Sequence, residues 1–487
     1  MKIKLFFSAF AIFFIMSSLP VFAANYMVTA ADDADLTKYE LEVVFDELGI
    51  YLADEETAKM LLENGDVISI SEDQPLILPD TVEYDETISN KAEVMPMSGY
   101  NDPYYSEEVY FEQNGIAEYI DTYEPSGEVR IAVIDTGVNR EHQEFANANI
   151  ETGYNFVLNS TDTSDIYRHG TMVTGIIAAG ANDGVGMAGI APNATIIPLV
   201  AMTKIDNEVY GTSSNLLQAI RAAVDTYDCD IITTSLGVTS GYTEINKAVK
   251  YAVSRGVIVI GAAGNSGNDD DSSEASALSY PASSPGAISV GATDTTYNRA
   301  AYSQRNYRVN VVACGGYYHM PSNTSTNTYV SANGTSFSTP VIAGITALFL
   351  SEHPDITPEE YQSILEGGSV YINQDYTGEG IPNCMYMETI YSKTEGNDVY
   401  IIPSIINDNE VLSLKLYTSG VHDDMCIIIA YFLDGKYYGY SFKDEFVLSK
   451  GIYHYNEQMK TGNAYIFVVE SLDTLKPISN VYEYVAS

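Results

Sequence analysis

Short runs of apolar residues recur along the middle of the chain, and polar or turn-forming residues bound each of them. The runs span residues 129–134, 195–202, 229–236, 257–263, 287–292 and 309–313. Their length and their high content of Val, Ile and Ala are typical of strands that are buried on both faces of a parallel sheet. The pattern therefore predicts a buried sheet in this part of the chain.

Helical spacing of apolar residues separates several of these runs. Residues 214–227 and 243–255 each place their apolar side chains on one face, and Gly256 gives a stop signal after the second stretch. Strands that alternate with helices predict an α/β fold with a mostly parallel sheet and helices on both faces. A third helical stretch, 336–352, is apolar nearly all round, so we expect it to be buried, with Pro340 in its first turn.

The pattern differs before and after this region. Residues 25–78 predict a small α+β unit, with β-type positions in 41–51, a helix over 54–64 that Gly65 ends, and a strand at 67–70. Residues 79–100 are polar and acidic, which favours a linker. Short β-type runs at 399–402, 426–430 and 464–468, separated by turn residues, predict a small β-sandwich-like domain.

The first 23 residues have the layout of a secretory signal peptide. Lys2 and Lys4 precede an apolar run that is too short to span a bilayer, and Ala23 supplies a small residue for cleavage. A buried strand or an anchor helix is the alternative. The rest of the chain has no long apolar stretch without charges, so we predict no transmembrane helix.

Charge and cysteine content narrow the range of functions. The 487 residues include 66 Asp and Glu against 23 Lys and Arg, which gives a net charge of −43. A surface this negative repels nucleic acid and anionic membranes. Solubility is the simpler explanation of the charge, and a preference for cationic substrates is the alternative. The wide spacing of Cys229, Cys314, Cys384 and Cys426 favours free thiols, although an even count in a secreted chain also permits disulfides.

Three segments place residue types of nucleophilic catalysis where a strand or a Gly-rich turn meets a helix. Asp135 lies in IAVIDTG, His169 opens HGTMVTG, and Ser336 lies in GTSFSTP. A serine nucleophile needs a neighbouring base, and a histidine base needs a carboxylate that fixes its tautomer. Each residue alone is more often a turn, cap or solvated residue. All three, in this order and with these neighbours, favour catalysis.

A fourth segment, residues 262–265, lies between the segments of His169 and Ser336 and supplies a side-chain amide. Ala262, Ala263 and Gly264 allow close approach of a substrate backbone, and the Asn265 side chain is a suitable donor to an oxyanion. A turn residue is the alternative for Asn265.

Together the four segments resemble the subtilase family of serine endopeptidases over roughly residues 100–390. The resemblance implies a subtilisin-like three-layer fold and needs no cofactor for the chemistry. It implies that Ser336 is the nucleophile, His169 the general base and Asp135 the carboxylate that orients it. Asn265 and the Ser336 backbone N–H would form the oxyanion hole.

The resemblance also implies a substrate cleft. Ser235, Leu236 and Gly237 correspond to the edge strand that binds peptides in the family, although the triplet alone fits any strand end. Ser279 aligns with the base of the primary specificity pocket, where Gly is frequent. Three aspartates at 269–271 either favour a basic residue in the substrate or form a solvated acidic loop, and the second explanation is the simpler one.

A structural calcium ion is a further implication. The loop at 181–186 resembles a calcium-binding loop of the family, and Glu144 falls where an acidic ligand is often found. A tight loop that needs glycine explains the same residues equally well.

The sequence thus predicts a secreted serine endopeptidase that acts on polypeptides and is made as an autoprocessed precursor. The expected organisation is a signal peptide (1–23), a prosegment and linker (24–100), a catalytic domain (101–392) and an accessory β-rich domain (393–487). The prosegment is expected to inhibit the enzyme within the chain, and the active enzyme to begin within 79–103, with Lys91 as one candidate position. The C-terminal domain is a candidate for cell-surface association. The alternatives are a processing peptidase of narrow specificity and an inactive subtilase-like binding or adhesion module.

Overall fold

The computed structural model describes most of the chain. The described residues are 26–31, 34–78, 82–88, 100–205, 208–240, 242–268, 273–372, 374–392, 399–405, 411–418, 422–433, 436–448, 451–458, 463–469 and 482–484. The predicted signal peptide, Lys91 and the three aspartates at 269–271 lie outside them. Contacts divide the chain into two compact units, Met1–Asp73 and Gln74–Ser487.

The first unit contains a four-stranded antiparallel sheet and one helix. Its strands are β1 (Tyr26–Ala30), β2 (Glu42–Phe45), β3 (Ile50–Ala53) and β4 (Val67–Glu72), in the spatial order β2-β3-β1-β4. The helix α1 (Glu55–Asn64) buries Ala58 and Leu61 against the sheet. The strand predicted at 41–51 is in fact two short strands, β2 and β3.

The ends of α1 follow from two residues that the sequence supplies. Asp54 accepts a hydrogen bond from the Thr57 N–H at 2.7 Å and so caps the first turn. Gly65 adopts a left-handed conformation with φ of 75° and ends the helix. The predicted helix over 54–64 is therefore confirmed.

The strands of the second unit up to residue 382 belong to four sheets. In chain order they are β5 (Val82–Ile88), β6 (Arg130–Asp135), β7 (Asn149–Ile150), β8 (Tyr154–Asn155), β9 (Thr195–Val200), β10 (Thr203–Ile205), β11 (Glu208–Tyr210), β12 (Ile231–Thr234), β13 (Ile258–Ala262), β14 (Ala287–Thr293), β15 (Val311–Cys314), β16 (Gly316–Pro321), β17 (Thr328–Asn333), β18 (Ser369–Ile372) and β19 (Ile381–Pro382).

The helices of the second unit are α2 (Tyr110–Gln113), α3 (Ile116–Tyr123), α4 (His169–Ala178), α5 (Ser213–Asp225), α6 (Thr243–Ser254), α7 (Thr335–Glu352), α8 (Pro358–Gly367) and α9 (Cys384–Tyr391). The helices predicted at 214–227, 243–255 and 336–352 are confirmed as α5, α6 and α7. Pro340, however, is the sixth residue of α7, so its placement in the first turn was wrong.

An eight-stranded parallel sheet forms the centre of the second unit. Its order is β15-β14-β13-β12-β6-β9-β7, and β8 also pairs with β9. Helix α7 packs against α4 and strands β12 to β15, whereas α5 and α6 pack on each other, with α5 against β6 and β9 and α6 against β13. The sheet is therefore the middle layer of a three-layer α/β fold, as predicted. Each of the six apolar runs overlaps one of its strands.

One smaller feature departs from the sequence interpretation. Strand β5 pairs with β17 in a three-stranded antiparallel sheet of order β16-β17-β5. The interpretation of 79–100 as a linker contained no strand at this place.

The C-terminal region is rich in β-structure. Its strands are β20 (Val399–Ile405), β21 (Val411–Thr418), β22 (His422–Leu433), β23 (Lys436–Leu448), β24 (Gly451–Gln458), β25 (Asn463–Val469) and β26 (Tyr482–Tyr484). They form two sheets, of order β19-β18-β20-β21-β24 and β23-β22-β25-β26. The strands predicted at 399–402, 426–430 and 464–468 are confirmed.

The first of these sheets joins the C-terminal strands to the α/β region. Strand β20 runs parallel to β18, with Tyr371 opposite Ser404. Ile402 and Tyr417 belong to the same buried cluster as the residues of α7. The C-terminal strands thus contribute to the main core.

Candidate active site

Three elements bring Asp135, His169 and Ser336 to the carboxyl ends of the strands of the central sheet. Strand β6 ends at Asp135, α4 begins at His169, and Ser336 is the second residue of α7. All three residues are buried. In an open α/β sheet, the region beyond the carboxyl ends of the strands is where ligands bind.

The carboxylate of Asp135 holds the His169 ring. Its Oδ1 lies 2.8 Å from His169 Nδ1 and also accepts the backbone N–H of Thr136 at 2.8 Å. This contact assigns the proton of a neutral imidazole to Nδ1, which leaves the lone pair on Nε2. His169 Nε2 and Ser336 Oγ are both buried and find no hydrogen-bond partner among the described residues. On the described part of the chain, neither atom is thus engaged by another hydrogen bond.

A buried carboxylate that the sequence analysis missed connects the Asp135 turn to α4. Asp165 Oδ1 accepts the Thr136 hydroxyl at 3.0 Å, and its Oδ2 accepts the Thr171 N–H at 2.9 Å and the Thr171 hydroxyl at 2.6 Å. The Thr136 hydroxyl oxygen in turn accepts the Gly170 N–H at 2.9 Å. Burial raises the pKa of Asp165, and these hydrogen bonds oppose that shift.

The network explains how Asp135 and His169 keep their relative positions. Thr136, the residue after Asp135, accepts a hydrogen bond from the N–H of Gly170, the residue after His169. Asp165 accepts hydrogen bonds from Thr136 on the turn and from Thr171 on α4. Nothing in the sequence distinguishes Asp165 from Asp162, which lies three residues earlier and is exposed in the structure.

Glycine is required where α4 approaches the Asp135 turn. A Cβ at Gly170 would lie 2.2 Å from the carbonyl oxygen of Gly137, a distance that no side chain tolerates. Any larger residue would push His169 away from Asp135.

Asn265 is fixed by a residue that the sequence analysis did not single out. Its Oδ1 accepts both the backbone N–H of Thr335 at 2.8 Å and the Thr335 hydroxyl at 2.9 Å. The Thr335 hydroxyl oxygen also accepts the Gly264 N–H at 3.2 Å. These bonds fix the orientation of the amide, in which the NH₂ group is the donor that an oxyanion requires. The only sequence signal was the position of Thr335 directly before Ser336.

A pocket of about 550 Å³ lies beside Asn265. Of the residues predicted to bind substrate, Gly237, Ala263, Gly264 and Ser279 line it. Ser235, Leu236 and Ala262 lie next to these residues in the chain but do not line the pocket. The structure therefore brings most of the predicted substrate-binding residues together around one cavity.

Two lining residues of the pocket are closely packed against each other, and an acidic residue also lines it. A Cβ at Gly237 would come within 2.6 Å of Ser279 Oγ, so the two residues are closely packed. Glu274, which the sequence analysis did not name, lines the same pocket and is exposed.

The chain itself supplies an extended segment to this cleft. The Ile77 N–H donates to the Gly237 carbonyl at 2.7 Å, and the Gly237 N–H donates to the Ile77 carbonyl at 3.0 Å. The Leu76 N–H donates to the Gly211 carbonyl at 2.9 Å. Ile77 and Leu78 also line the pocket. The backbone at Gly237 can therefore bind a polypeptide by strand addition.

The loop at 181–186, where the resemblance implied a calcium ion, is held by backbone hydrogen bonds to a carboxylate. The backbone N–H groups of Asn182, Asp183 and Gly184 donate to the carboxylate of Asp102 at 2.7, 3.0 and 3.1 Å. These bonds hold the loop against the buried carboxylate of Asp102. Among the described residues, no group of three or more His, Cys, Asp or Glu side chains is arranged to hold a metal.

Glu144, the predicted acidic ligand, has other partners. It accepts hydrogen bonds from the Tyr329 hydroxyl and from the Met187 N–H. Burial raises the pKa of Glu144 to about 8, and these two hydrogen bonds oppose the shift. The calcium site that the resemblance implied stays a prediction.

The three cysteines whose side chains the structure describes are buried away from solvent. Cys229, Cys314 and Cys384 are buried free thiols, and burial raises the pKa of each to about 12. Thiols of this kind are unreactive. The side chain of Cys426 lies outside the described part of the structure.

The geometry agrees with comparisons to known proteins. The profile of the subtilase family matches residues 126–381, just over half of the chain. Subtilisin E from Bacillus subtilis (strain 168) is 37% identical over 257 residues, which cover 52% of this chain and 64% of that protein. Thermitase from Thermoactinomyces vulgaris is 37% identical over 253 residues, which cover 52% of this chain and 85% of thermitase.

Several of these relatives are matched over only part of their length. The chain spans 64% of subtilisin E, and 60% of a thermophilic serine proteinase from Bacillus sp. (strain AK1), to which it is 38% identical over 253 residues. The matched region of this chain contains Asp135, His169, Asn265 and Ser336. The fold, the site and these similarities agree, and the chain belongs to the subtilase family.

Proposed function

We propose that this protein is a secreted serine endopeptidase, made as a precursor that processes itself. The observation that carries the proposal is the contact of His169 Nδ1 with Asp135 at 2.8 Å, next to an unpartnered His169 Nε2 and Ser336 Oγ. A buried histidine that is held by a carboxylate on one nitrogen alone is the arrangement that general-base catalysis needs.

The reaction follows from the roles of these atoms. Ser336 Oγ attacks the peptide carbonyl carbon while its proton passes to His169 Nε2. The carbonyl π-electrons move to oxygen, and the Asn265 NH₂ group and the Ser336 N–H stabilise the oxyanion. When the oxyanion collapses, the C–N bond breaks and His169 gives its proton to the leaving amine. Water then attacks the acyl carbon while His169 takes its proton. The bond from that carbon to Ser336 Oγ breaks, and His169 returns the proton to Ser336 Oγ.

The electrostatic role of Asp135 is to stabilise the imidazolium that forms in each step. Its Oδ1 has the Thr136 N–H as a second donor, so the carboxylate stays in place as the charge on His169 changes. The pocket beside Asn265 would take the side chain of the residue that is acylated.

Residues 74–78 support the precursor hypothesis. They directly follow the first unit, and Ile77 is paired with Gly237 in the manner of a bound peptide. A chain that lies in its own cleft in this way excludes other substrates. This agrees with a prosegment that acts as an intramolecular inhibitor.

Secretion is supported by the composition of the first 23 residues. Among the described helices, none has both the length and the apolar character needed to cross a membrane.

Two experiments separate this proposal from its alternatives. A fluorophosphonate probe should label the purified wild-type protein and should not label Ser336→Ala, with Ser338→Ala as the matched control that keeps labelling. Ser338 is also buried in α7, but its hydroxyl donates to the Thr335 carbonyl. Absence of labelling in wild-type protein that has lost residues 74–78 from the cleft would favour the binding or adhesion module.

A library of peptide substrates then decides between broad digestion and processing. Cleavage after many different residues supports a general endopeptidase, whereas a single preferred sequence supports the narrow processing enzyme.

A further inference from the structure

Residues of the same chain lie on both sides of Ser336. On one side, residues 74–78 pair with the backbone at Gly237. On the other side, β5 pairs with β17, which ends at Asn333, three residues before Ser336. Only residues 79–81 separate the first segment from β5.

The direction of β5 relates it to the reaction. The pairing is antiparallel, with Val82 opposite Asn333 and Ile88 opposite Thr328, and its register shifts between Val330 and Ala332. Strand β5 therefore begins at the end of β17 nearest to Ser336 and runs away from it. A substrate with the same polarity would have its acyl side at Gly237 and its leaving side along β17.

The other edge of β17 is already used. Strand β16 pairs with it, with Ser331 opposite His319, so the sheet has the order β16-β17-β5. Within the described residues, the edge that β5 covers is thus the one at which β17 can accept an added strand.

We infer that this edge of β17 binds the leaving side of substrates as an extended strand of about seven residues, the length of β5. The inference rests on the proposed peptidase function and adds a substrate class to it. The enzyme would act best on polypeptides with a long extended stretch after the cut bond. Main-chain hydrogen bonds to β17 would hold that stretch whatever its side chains, because the backbone is the same in every sequence.

The edge must be cleared of β5 before it can be tested. The protein is folded at full length with a recognition sequence for an unrelated protease inserted after residue 91. It is then cut there, and the released fragment is removed. Mass spectrometry checks that β5 has gone.

Two peptides with identical residues before the cut bond are compared on this enzyme. One ends two residues after the bond and the other ends eight residues after it. We expect kcat/KM to be about tenfold or more higher for the long peptide, because several backbone hydrogen bonds are gained. Equal values for the two peptides would overturn the inference and leave the peptidase function intact, whereas cleavage of neither would contradict the function itself.

Backbone N-methylation of the long peptide shows whether the gain comes from strand pairing. In an antiparallel strand, alternate residues direct their N–H groups at the partner. Methyl groups are placed singly, at each of two neighbouring residues on one side of the register shift. Methylation at one residue of the pair should remove much of the advantage of the long peptide, and methylation at the other should retain it. Equal losses at both residues, or no loss at either, would rule out strand addition to β17.

Discussion

The hydroxyl of Ser235 donates a hydrogen bond to the main-chain carbonyl oxygen of Ser336, at 3.2 Å. This carbonyl would normally accept the N–H of the residue four positions later in α7, but that residue is Pro340, which has no N–H. Ser235 lies beside the peptide-binding backbone at Gly237. One side chain thus connects the cleft to the helix that carries the nucleophile.

We expect Ser235→Ala to lower the free energy of unfolding by about 1 kcal/mol, because it leaves a buried carbonyl without a donor. Urea unfolding in the Ser336→Ala background measures this without self-digestion. Ser254→Ala is the matched control, since its exposed hydroxyl also donates to a backbone carbonyl. A change no larger than in the control would show that the Ser235 contact does not stabilise α7.

The position of Pro340 shows what the sequence pattern could and could not predict. Continuous apolar runs and helical spacing predicted the central strands and α7, because burial on both faces leaves a strong compositional signal. A proline inside a helix is disfavoured, so local rules placed Pro340 in the first turn. At the actual position of Pro340, the hydroxyl of Ser235, which follows β12 and lies about a hundred residues away in the chain, supplies a donor to the Ser336 carbonyl. No local pattern reports this contact.

The site itself shows the same limit. Asp135, His169, Ser336 and Asn265 were identified because each lies in a distinctive segment. Asp165 was missed because its importance comes from its contacts with Thr136 and Thr171. The pairing of β5 was also missed, because the polar and acidic composition of residues 79–100 favoured a linker.

Asn265 and Thr335 are expected to affect the rate of turnover more than substrate binding. Asn265→Ala should lower kcat by about 10²–10³-fold with little change in KM, because its hydrogen bond forms mainly in the transition state.

Thr335→Val tests whether Thr335 acts by positioning Asn265. It removes the hydroxyl that donates to Asn265 Oδ1 but keeps the shape of the side chain. It should lower kcat by about tenfold, and Thr335→Ser should restore most of this loss, since it keeps the hydroxyl. In the Asn265→Ala background, Thr335→Val should have little further effect. Equal losses with and without Asn265 would contradict the positioning role.

Glu144 makes the stability of the protein depend on pH. Its pKa is about 8 in the folded protein against a usual value of 4.5. Between these values the unfolded chain loses the proton and the folded chain keeps it, so stability falls as pH rises, by at most about 1.4 kcal/mol per pH unit.

Glu144→Gln should remove this part of the pH dependence. Unfolding of Ser336→Ala with and without Glu144→Gln, at pH 5, 6.5 and 8, measures the difference, which should grow in favour of the substituted protein towards pH 8. Glu118→Gln is a control, because Glu118 is exposed. Parallel stability curves with and without the Glu144→Gln substitution would show that Glu144 titrates as an ordinary carboxyl.

Removal of residues 393–487 should lower thermal stability but preserve the chemistry. The truncated chain would lose the pairing of β20 with β18 and the packing of Ile402 and Tyr417 in the main core. The described hydrogen-bond partners of Asp135, His169 and Ser336 all lie before residue 340 in the chain. We expect short-peptide turnover at low temperature to be retained, and the temperature of half-inactivation to fall by several degrees. Loss of turnover in a chain that circular dichroism shows to be folded would mean that the C-terminal strands support the site directly.

Self-processing is expected to begin close to Ser336. Residues 74–78 lie on the acyl side of the cleft and β5 begins on the leaving side, so the first cut should fall between Leu78 and Val82, with later trimming as far as residue 103. Wild type and Ser336→Ala are expressed side by side in a host without other secreted proteases, and mass spectrometry reads both N-termini over time. The wild type should first show an N-terminus within 79–82, and Ser336→Ala should keep the first unit covalently attached. A first cut at Lys91 instead would contradict the position derived from β5, and identical N-termini in both proteins would mean that another protease performs the maturation.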